Sequence, residues 1–282
     1  MAKNERFAKT LDVFGFGELA THLRQDKSIL VPEEFNAVNT WTEYVNRLIG
    51  ALTGFLLFFT AVYSFSYWSI NKSIAILSIL NVILVGLQAW LGAIVVSSNL
   101  VSWIVTVHML LALAILALCI GTYHMAKVYG KYKLNVSPIT HIIALLTLIL
   151  SIVQIAFGSA VREKIDTVSN RLQEGYRDGW IASAGAIFYR HRDVAIIVLM
   201  ANVVLYALIR RGFSRHSVQQ QVMSFTFLVI MLQIVTGILL TYMSLPPYAQ
   251  ALHIVLASLV FGAQFYLLLN LYRSADAVGG SR

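Results

Sequence analysis

Long parts of this 282-residue chain contain no charged side chain. Residues 73–126, 134–161 and 216–272 hold no Asp, Glu, Lys or Arg. Only 12% of all residues are charged, whereas 58% are hydrophobic. A soluble domain of this size is excluded, because each uncharged stretch is long enough for one or two membrane spans. The apolar runs are continuous rather than alternating, which argues against a β-barrel and predicts an all-α membrane protein.

Cysteine is almost missing as well, since Cys119 is the single one in the sequence. It cannot form an intramolecular disulfide and gives no information about the redox compartment. The sequence also lacks a glycine-rich phosphate loop, the Cys/His spacing of a zinc site and a usable Ser/His/Asp set. Residues 1–40 contain no apolar run of the kind found in a cleavable signal peptide. Function is therefore to be sought among the polar residues inside the membrane.

The apolar segments predict seven transmembrane helices. Their predicted limits are Leu48–Trp68, Ile74–Val96, Val101–Met125, Ile139–Val161, Tyr189–Ile209, Val218–Met243 and Tyr248–Leu271. Tight turns are predicted around Ser97-Ser98-Asn99 and Pro246-Pro247, and a long loop, 162–187, separates the fourth helix from the fifth. In the polar N-terminal segment, Phe7 to Leu23 has the pattern of a short amphipathic helix, and Pro32-Glu33-Glu34 can start another element.

The distribution of lysine and arginine predicts on which side of the membrane each loop lies. Nine basic residues and one acidic residue fall on the side that we assign to the cytoplasm, and the opposite side is electrically balanced. The net charge of +8 thus follows from topology and does not indicate nucleic-acid binding. The N-terminus is expected outside and the C-terminus in the cytoplasm. The predicted parts are an outer polar leader, 1–45, an N-terminal half-bundle, 46–128, a C-terminal four-helix bundle, 139–272, and a cytoplasmic tail, 273–282.

Polar motifs recur along the chain at one fixed offset of 145 residues. Glu43-Tyr44-Val45-Asn46-Arg47 corresponds to Phe188-Tyr189-Arg190-His191-Arg192, Gln88 and Gly92 correspond to Gln233 and Gly237, and His108 corresponds to His253. No gap is needed to align them, which indicates an internal duplication. The fourth predicted helix has no upstream counterpart. We therefore expect that a first helix is missing from this sequence and that the complete protein has two pseudo-symmetric four-helix bundles.

In the second half, His191 and His253 lie on different helices near the outer face of the membrane. Two neutral imidazoles that face each other across a helix bundle can be the axial ligands of a haem iron. Arg192 can pair with a haem propionate. Gly237, one turn after Gln233, would let a flat macrocycle approach the backbone. A single histidine at this depth can instead hydrogen-bond a neighbouring helix, but the matched pairs favour iron ligation.

The first half holds Asn46 and His108 at the equivalent positions, with Glu43 where the second half has Phe188. Asparagine is a poor iron ligand, so this half is expected to offer one strong ligand and one open position. An open position beside a carboxylate suits substrate binding and reaction, whereas a doubly ligated haem suits electron transfer. Alternatively, Glu43 is a solvated acid at a helix N-terminus.

The remaining histidines are expected to be surface or interfacial residues rather than ligands. They are His22 in the leader and His124, His141 and His216 at the cytoplasmic ends of spans.

Taken together, these motifs resemble those of the haem A synthase family over essentially the whole chain. The segment Glu43 to Arg47, followed by Leu-Ile-Gly, resembles the Glu-x-x-His-Arg signature, and His108, His191-Arg192 and His253 resemble the other three histidine positions. Two departures are clear. Asn46 replaces the family's first histidine, and the first helix and the start of the first outer loop, where many members carry a cysteine pair, are absent.

This resemblance implies oxidation of the C8 methyl of haem O to a formyl group, which gives haem A for cytochrome oxidase. It implies a haem b ligated by His191 and His253, with haem O as the substrate ligated by His108 near the catalytic Glu43. Arg47, Gln88, Arg192 and Gln233 are then the candidate cofactor-binding residues.

The same resemblance implies a location in the bacterial plasma membrane. Candidate partners are haem O, haem O synthase, cytochrome oxidase assembly factors and a second copy of the chain in a homo-oligomer. One alternative is a di-haem membrane cytochrome that only transfers electrons, which Asn46 disfavours. A second is a seven-helix transporter or photoreceptor. The last helix lacks the lysine that retinal needs, and the polar residues cluster toward one face rather than the midplane.

Overall fold

Helices make up nearly all of the described chain, and the part of it that the structure describes contains no strand. The structure is a computed structural model, and it describes residues 5, 8–9, 12–13, 15, 17–25, 37–97, 102–131, 133–171 and 179–274. The helices are α1 (Gly17–Gln25), α2 (Ala37–Ser64), α3 (Lys72–Ser97), α4 (Ser102–Lys127), α5 (Pro138–Arg171), α6 (Trp180–Ala184), α7 (Ala186–Gly212), α8 (Val218–Tyr242) and α9 (Pro247–Tyr272). A 3₁₀ turn, Phe65–Tyr67, follows α2.

Seven of these helices are long and apolar enough to cross a membrane, which confirms the predicted number of spans and the all-α class. Their outward faces carry large apolar side chains such as Phe55 and Ile83, with exposed fractions of 63% and 61%. Such faces suit contact with lipid, where a helix satisfies its own backbone hydrogen bonds.

Two helices extend beyond the limits predicted from hydropathy. Helix α2 begins at Ala37 rather than Leu48, and α5 continues to Arg171, so residues 162–171 are helical and not part of a loop. The extensions are polar, and ion pairs one helical turn apart stabilise them: Glu43 with Arg47, and Arg162 with Asp166 at 3.6 Å. Apolar periodicity does not detect such turns.

The extension of α5 also has a small apolar core of its own. Ile165 is buried against Trp180 and Ala184 of α6 and against Leu245, which precedes α9. This packing holds the end of α5 beside the starts of α7 and α9, where the two C-terminal site histidines lie.

The turn around Pro246-Pro247 is confirmed. Helix α8 ends at Tyr242, Ser244 and Leu245 adopt positive φ angles of 54° and 57°, and α9 begins at Pro247. Proline is well suited to the first position of a helix because its missing N–H would have no partner there. The turn places His253 in the second turn of α9. Of the other predicted turn, Ser98 and Asn99 lie outside the described residues.

The N-terminal polar segment contains α1, which covers part of the predicted amphipathic helix. Arg24 at its end pairs with Glu5 at 3.3 Å and with Asp12 at 2.8 Å, and these carboxylates raise the pKa of the Arg24 guanidinium. The predicted element at Pro32-Glu33-Glu34 lies outside the described residues.

The chain divides into two compact units, Met1–Ile115 and Leu116–Arg282. In the first unit, α2 packs against α3. In the second, α5, α7, α8 and α9 form a ring in which each helix packs against the next, and α9 returns to α5. The second part of α4 joins this unit, because Leu116 and Ile120 lie against Gly262 of α9. The domain limits given by the sequence stay a prediction.

The interior of the second unit is layered along the bundle axis. Val229, Ile230, Leu256 and Val260 form one apolar layer, and Leu205, Ile209, Leu267 and Leu271 belong to another nearer the α7 C-terminus. Between them the Gln264 amide donates to Asn202 Oδ1 at 3.0 Å, and both side chains are almost completely buried. This pair is a polar link between α7 and α9.

Candidate haem-binding site

His191 and His253 face each other between α7 and α9. Their ring centroids are 6.5 Å apart, and the ring planes are inclined by 64°. A metal–imidazole bond measures about 2.0–2.1 Å, so two imidazoles that share one metal ion place their ring centres roughly 6.4 Å apart. The spacing of the two rings fits a single iron between them.

The imidazole of His191 is held by α5. The Gln154 amide donates to the backbone carbonyl of His191 at 3.0 Å and lies 3.4 Å from His191 Nε2. One turn later, a Cβ on Gly158 would lie only 3.2 Å from His191 Cε1, so a larger residue would push the ring by a few tenths of an ångström. His191 Nδ1 is buried without a hydrogen-bond partner. A buried imidazole nitrogen without a hydrogen-bond partner is suited to bind the iron of a haem.

The imidazole of His253 is held by α8 in a different way. Thr236 Oγ1 lies 2.8 Å from His253 Nδ1. A Cβ on Gly237 would lie 3.6 Å from His253 Cε1, which is ordinary contact. Gln233, predicted from the duplication to bind the cofactor, has a buried Oε1 without a partner.

His108 has an environment like that of His191. The Gln88 amide lies 3.1 Å from His108 Nε2 and donates to the His108 carbonyl at 3.1 Å. A Cβ on Gly92 would lie 3.2 Å from His108 Cε1, and His108 Nδ1 is buried without a partner. Gln88 and Gly92 thus lie against His108, while the role of Gln88 in cofactor binding stays a prediction.

Gln154 and Gly158 are site residues that the sequence reasoning missed. The offset of 145 leads from Gln154 to Lys9 in the polar leader, so the duplication gave no signal there. A different signal was available, because Gln154 and Gly158 have the same four-residue spacing as Gln88 and Gly92.

The predicted catalytic group lies on α2. The Glu43 carboxylate pairs with Arg47 one turn further on, and their side chains are 45% and 67% exposed. Asn46, between them, is also exposed. The structure thus brings Glu43 and Arg47 together as an exposed ion pair. Among the described residues, Arg47 makes no hydrogen bond to a candidate haem ligand.

Arg192 lies beside His191 at the start of α7. Its Nε and Nη2 both donate to Asp193 Oδ1 at 3.3 Å, and its guanidinium lies over the Tyr189 ring, 5.2 Å from the centroid. A guanidinium has five N–H donors, so this contact leaves others for a propionate.

Among the described residues, no group of three or more His, Cys, Asp or Glu side chains is placed to hold a bare metal ion. A haem iron does not need such a group, because the macrocycle supplies four ligands and the protein only the axial ones. The pairing of His191 with His253 fits that requirement.

Of the remaining histidines, His124 is expected to be a surface or interfacial residue, and the structure excludes a surface position. It is only 5% exposed, and its Nε2 lies 2.9 Å from the Arg273 carbonyl while its ring packs against Tyr266. The reason is that the last turns of α4 contact α9. His216 is exposed as expected, and His141 is half-buried with its ring 4.6 Å from the Tyr272 ring. The His22 side chain lies outside what the structure describes.

Comparison with known proteins bears on the family of the chain. Residues 20–265 match the family COX15-CtaA, described as cytochrome oxidase assembly protein. A "Heme A synthase" of Wolbachia pipientis wMel is 26% identical over 267 residues, which cover 87% of this chain and 74% of the relative. A "Heme A synthase" of Wolbachia sp. subsp. Brugia malayi (strain TRS) is 27% identical over 254 residues, covering 82% and 73%.

These matches confirm the resemblance that the histidine motifs predicted, and they give no support to a cytochrome that only transfers electrons. With seven helices that can cross a membrane and a match over most of its length, the chain belongs to the COX15-CtaA family of cytochrome oxidase assembly proteins.

Proposed function

We propose that this protein is a multi-pass membrane oxidoreductase that converts haem O to haem A by oxidising the C8 methyl to a formyl group. The family match and the relatives called "Heme A synthase" support this activity. The observation that carries the assignment of the site is the 6.5 Å separation of the His191 and His253 rings. It agrees with the roughly 6.4 Å expected for two imidazoles on one iron.

In the C-terminal half, His191 and His253 would hold a resident haem b. When bound, this haem supplies one-electron redox chemistry through its iron. Gln154 and Gly158 orient the His191 ring from α5, and α8 orients His253. Arg192 is placed at the membrane surface, where its free N–H donors can bind a propionate. This half keeps the electron carrier in one geometry.

In the N-terminal half, His108 would ligate the substrate haem O. Gln88 and Gly92 fix its ring as Gln154 and Gly158 fix that of His191. Asn46 stands where the C-terminal half has His191, so a second strong ligand is missing and the iron of the substrate keeps an open position. Conversion of a methyl group to a formyl group is a four-electron oxidation, in which the carbon gains one oxygen and loses two hydrogens, so it needs an external electron acceptor. With water as the oxygen source, RCH₃ + H₂O gives RCHO + 4 H⁺ + 4 e⁻, and positive charge develops on the carbon as the electrons leave. The Glu43 carboxylate can accept the protons or stabilise that charge.

Arg47 and Glu43 act together in this proposal. The ion pair between them compensates the carboxylate charge and fixes its side chain along α2. A propionate of haem O can compete for the exposed Arg47 guanidinium, which would release Glu43 toward the substrate.

The positive-inside distribution supports a plasma-membrane orientation with the N-terminus outside and the C-terminus in the cytoplasm. The polar residues of both halves then lie toward the outer face. Haem O synthase and cytochrome oxidase assembly factors are the expected partners, since the substrate has to be delivered and the product used.

The purified full chain tests this function. We expect a low-spin haem spectrum that is lost in His253→Ala and in His191→Ala but kept in the control His216→Ala, whose side chain is exposed. Extracted pigments from cells supplied with haem O should contain formyl haem with the wild type and not with His108→Ala. Retention of the low-spin spectrum in His253→Ala would refute the ligand assignment.

A further inference from the structure

Thr236 provides a contact to His253 that the activity does not by itself explain. Its hydroxyl oxygen lies 2.8 Å from His253 Nδ1 and 3.0 Å from the Gln233 carbonyl oxygen. The side chain is only 4% exposed, so water does not compete for these contacts.

The hydrogen positions follow from what each group can do. A threonine hydroxyl has one hydrogen, and a carbonyl oxygen can only accept. Both contacts are hydrogen bonds only if the hydroxyl donates to the Gln233 carbonyl and accepts from His253 Nδ1–H. Thr226 and Thr241 on the same helix also donate to a carbonyl one turn earlier, each at 2.8 Å. The bond from the Thr236 hydroxyl to the Gln233 carbonyl is therefore of a type that recurs in α8.

We propose that Thr236 is a positioning residue that keeps His253 in its Nδ1–H form and leaves the Nε2 lone pair to the iron of the resident haem. This inference rests on the proposed function, in which His253 is an axial ligand. Groups that accept a hydrogen bond from the distal nitrogen of a ligating histidine fix its tautomer and increase its basicity.

The duplication supplies an internal comparison. The residue 145 positions before Thr236 is Leu91, which has no hydroxyl, and His108 Nδ1 is buried without a partner. The positioning hydroxyl is therefore present on the side assigned to the resident haem and missing on the side assigned to the substrate. A ligand that must hold one haem permanently benefits from a fixed tautomer, whereas a ligand that exchanges substrate does not need it.

Three full-length variants test the role of the hydroxyl. Thr236→Val removes it at nearly constant shape, and Thr236→Ser keeps it. Thr226→Val is the matched control, because Thr226 is equally buried on α8 and bonds only within its own helix. Haem titration, the low-spin spectrum and the midpoint potential report on the loaded protein. ¹⁵N-histidine NMR of the haem-free protein reports the tautomer directly.

We expect Thr236→Val to lower haem affinity about 10- to 100-fold. Its midpoint potential should rise, because a less basic imidazole stabilises ferric iron less. In the haem-free protein, the Nε2–H form of His253 should increase. Thr236→Ser and Thr226→Val should match the wild type in all four measurements.

Two results would overturn the inference: Thr236→Val with wild-type affinity, potential and tautomer, or Thr226→Val with the same changes as Thr236→Val. If His253→Ala lost haem while Thr236→Val behaved like the wild type, the positioning role of Thr236 would be refuted and His253 would remain a ligand. Haem retained in His253→Ala would refute the proposed function and the inference with it.

Discussion

His191 in the C-terminal half corresponds to Asn46 in the N-terminal half, and other matched positions differ in the same direction. The C-terminal residues with hydrogen-bonding side chains and their N-terminal counterparts are Thr236 and Leu91, Asn202 and Leu57, and Gln264 and Cys119. In the C-terminal half these groups bond to a site histidine or link two helices. The N-terminal half has apolar side chains or a thiol in their places.

What the halves share is the support of a histidine by a glutamine and a glycine one turn apart. Gln88 with Gly92 holds His108, and Gln154 with Gly158 holds His191, with nearly the same distances. The halves differ instead at the second ligand, at the position of Glu43 and at the three polar side chains named above. A common scaffold with one ligand removed can change from a carrier of haem into a site that reacts with haem.

Exchanging the ligand between the halves should have the largest effect. His191→Asn makes the C-terminal half like the N-terminal one, and we expect it to abolish the low-spin spectrum of the resident haem, because asparagine is a poor iron ligand. Asn46→His should add a second low-spin signal when haem O is supplied. Absorption and electron paramagnetic resonance spectra of the purified variants measure both changes. An unchanged spectrum in His191→Asn would show that the second axial ligand does not distinguish the two halves.

Glu43→Gln should have the next largest effect and should act on one half only. Loss of a positioned acid–base group costs about 10²–10⁴ in rate, so haem A formation should fall by that factor. The low-spin spectrum should stay as in the wild type, because Glu43 belongs to the other half. Glu163→Gln, an exposed acid on α5, is the control. Equal loss of activity in both variants would contradict a specific role of Glu43.

The sequence was sufficient for the number of helices, because uncharged apolar runs report membrane spans directly. It also predicted that His191 and His253 face each other, because both lie near the outer face of the membrane on different helices of one four-helix unit, and the structure places their rings 6.5 Å apart. It did not predict the helical extension 162–171, whose ion pair and buried Ile165 leave no apolar run. The contact between Thr236 and His253 depends on how the side chains of two helices pack together. Residue spacing in the sequence does not predict such packing.

The two glycines that face the C-terminal histidines sharpen the comparison between α5 and α8. A Cβ at Gly158 would lie 3.2 Å from the His191 ring, and one at Gly237 would lie 3.6 Å from the His253 ring. Gly158→Ala must therefore displace the imidazole, at a cost of about 1–3 kcal/mol, and should weaken haem binding. Gly237→Ala fits and gains helix propensity, about 0.5–1 kcal/mol.

Haem titration and thermal unfolding of the two glycine variants measure this difference. The same substitution at Gly92 should behave like Gly158→Ala, but should act on His108, the proposed ligand of the substrate haem. If Gly237→Ala weakened haem binding as much as Gly158→Ala, the close contact with the histidine ring would not be the cause of the weaker binding.

The hydrogen bond between Asn202 and Gln264 should give the smallest effect and concerns stability rather than chemistry. Asn202→Leu leaves the buried Gln264 amide without its partner, which costs about 1–3 kcal/mol of unfolding free energy. Replacing both residues by leucine should recover part of this loss, because no buried polar group is then left without a partner. Hydrogen bonds between membrane helices contribute about 0.6–1.7 kcal/mol, which is the coupling expected from a double-mutant cycle of the two positions.

Thr147→Val is the control for these stability measurements, since the Thr147 hydroxyl bonds to the Ala144 carbonyl of its own helix. Strictly additive losses would mean that the pair does not join α7 to α9 energetically, and the Asn202–Gln264 bond would then not be one of the features that distinguish the two halves.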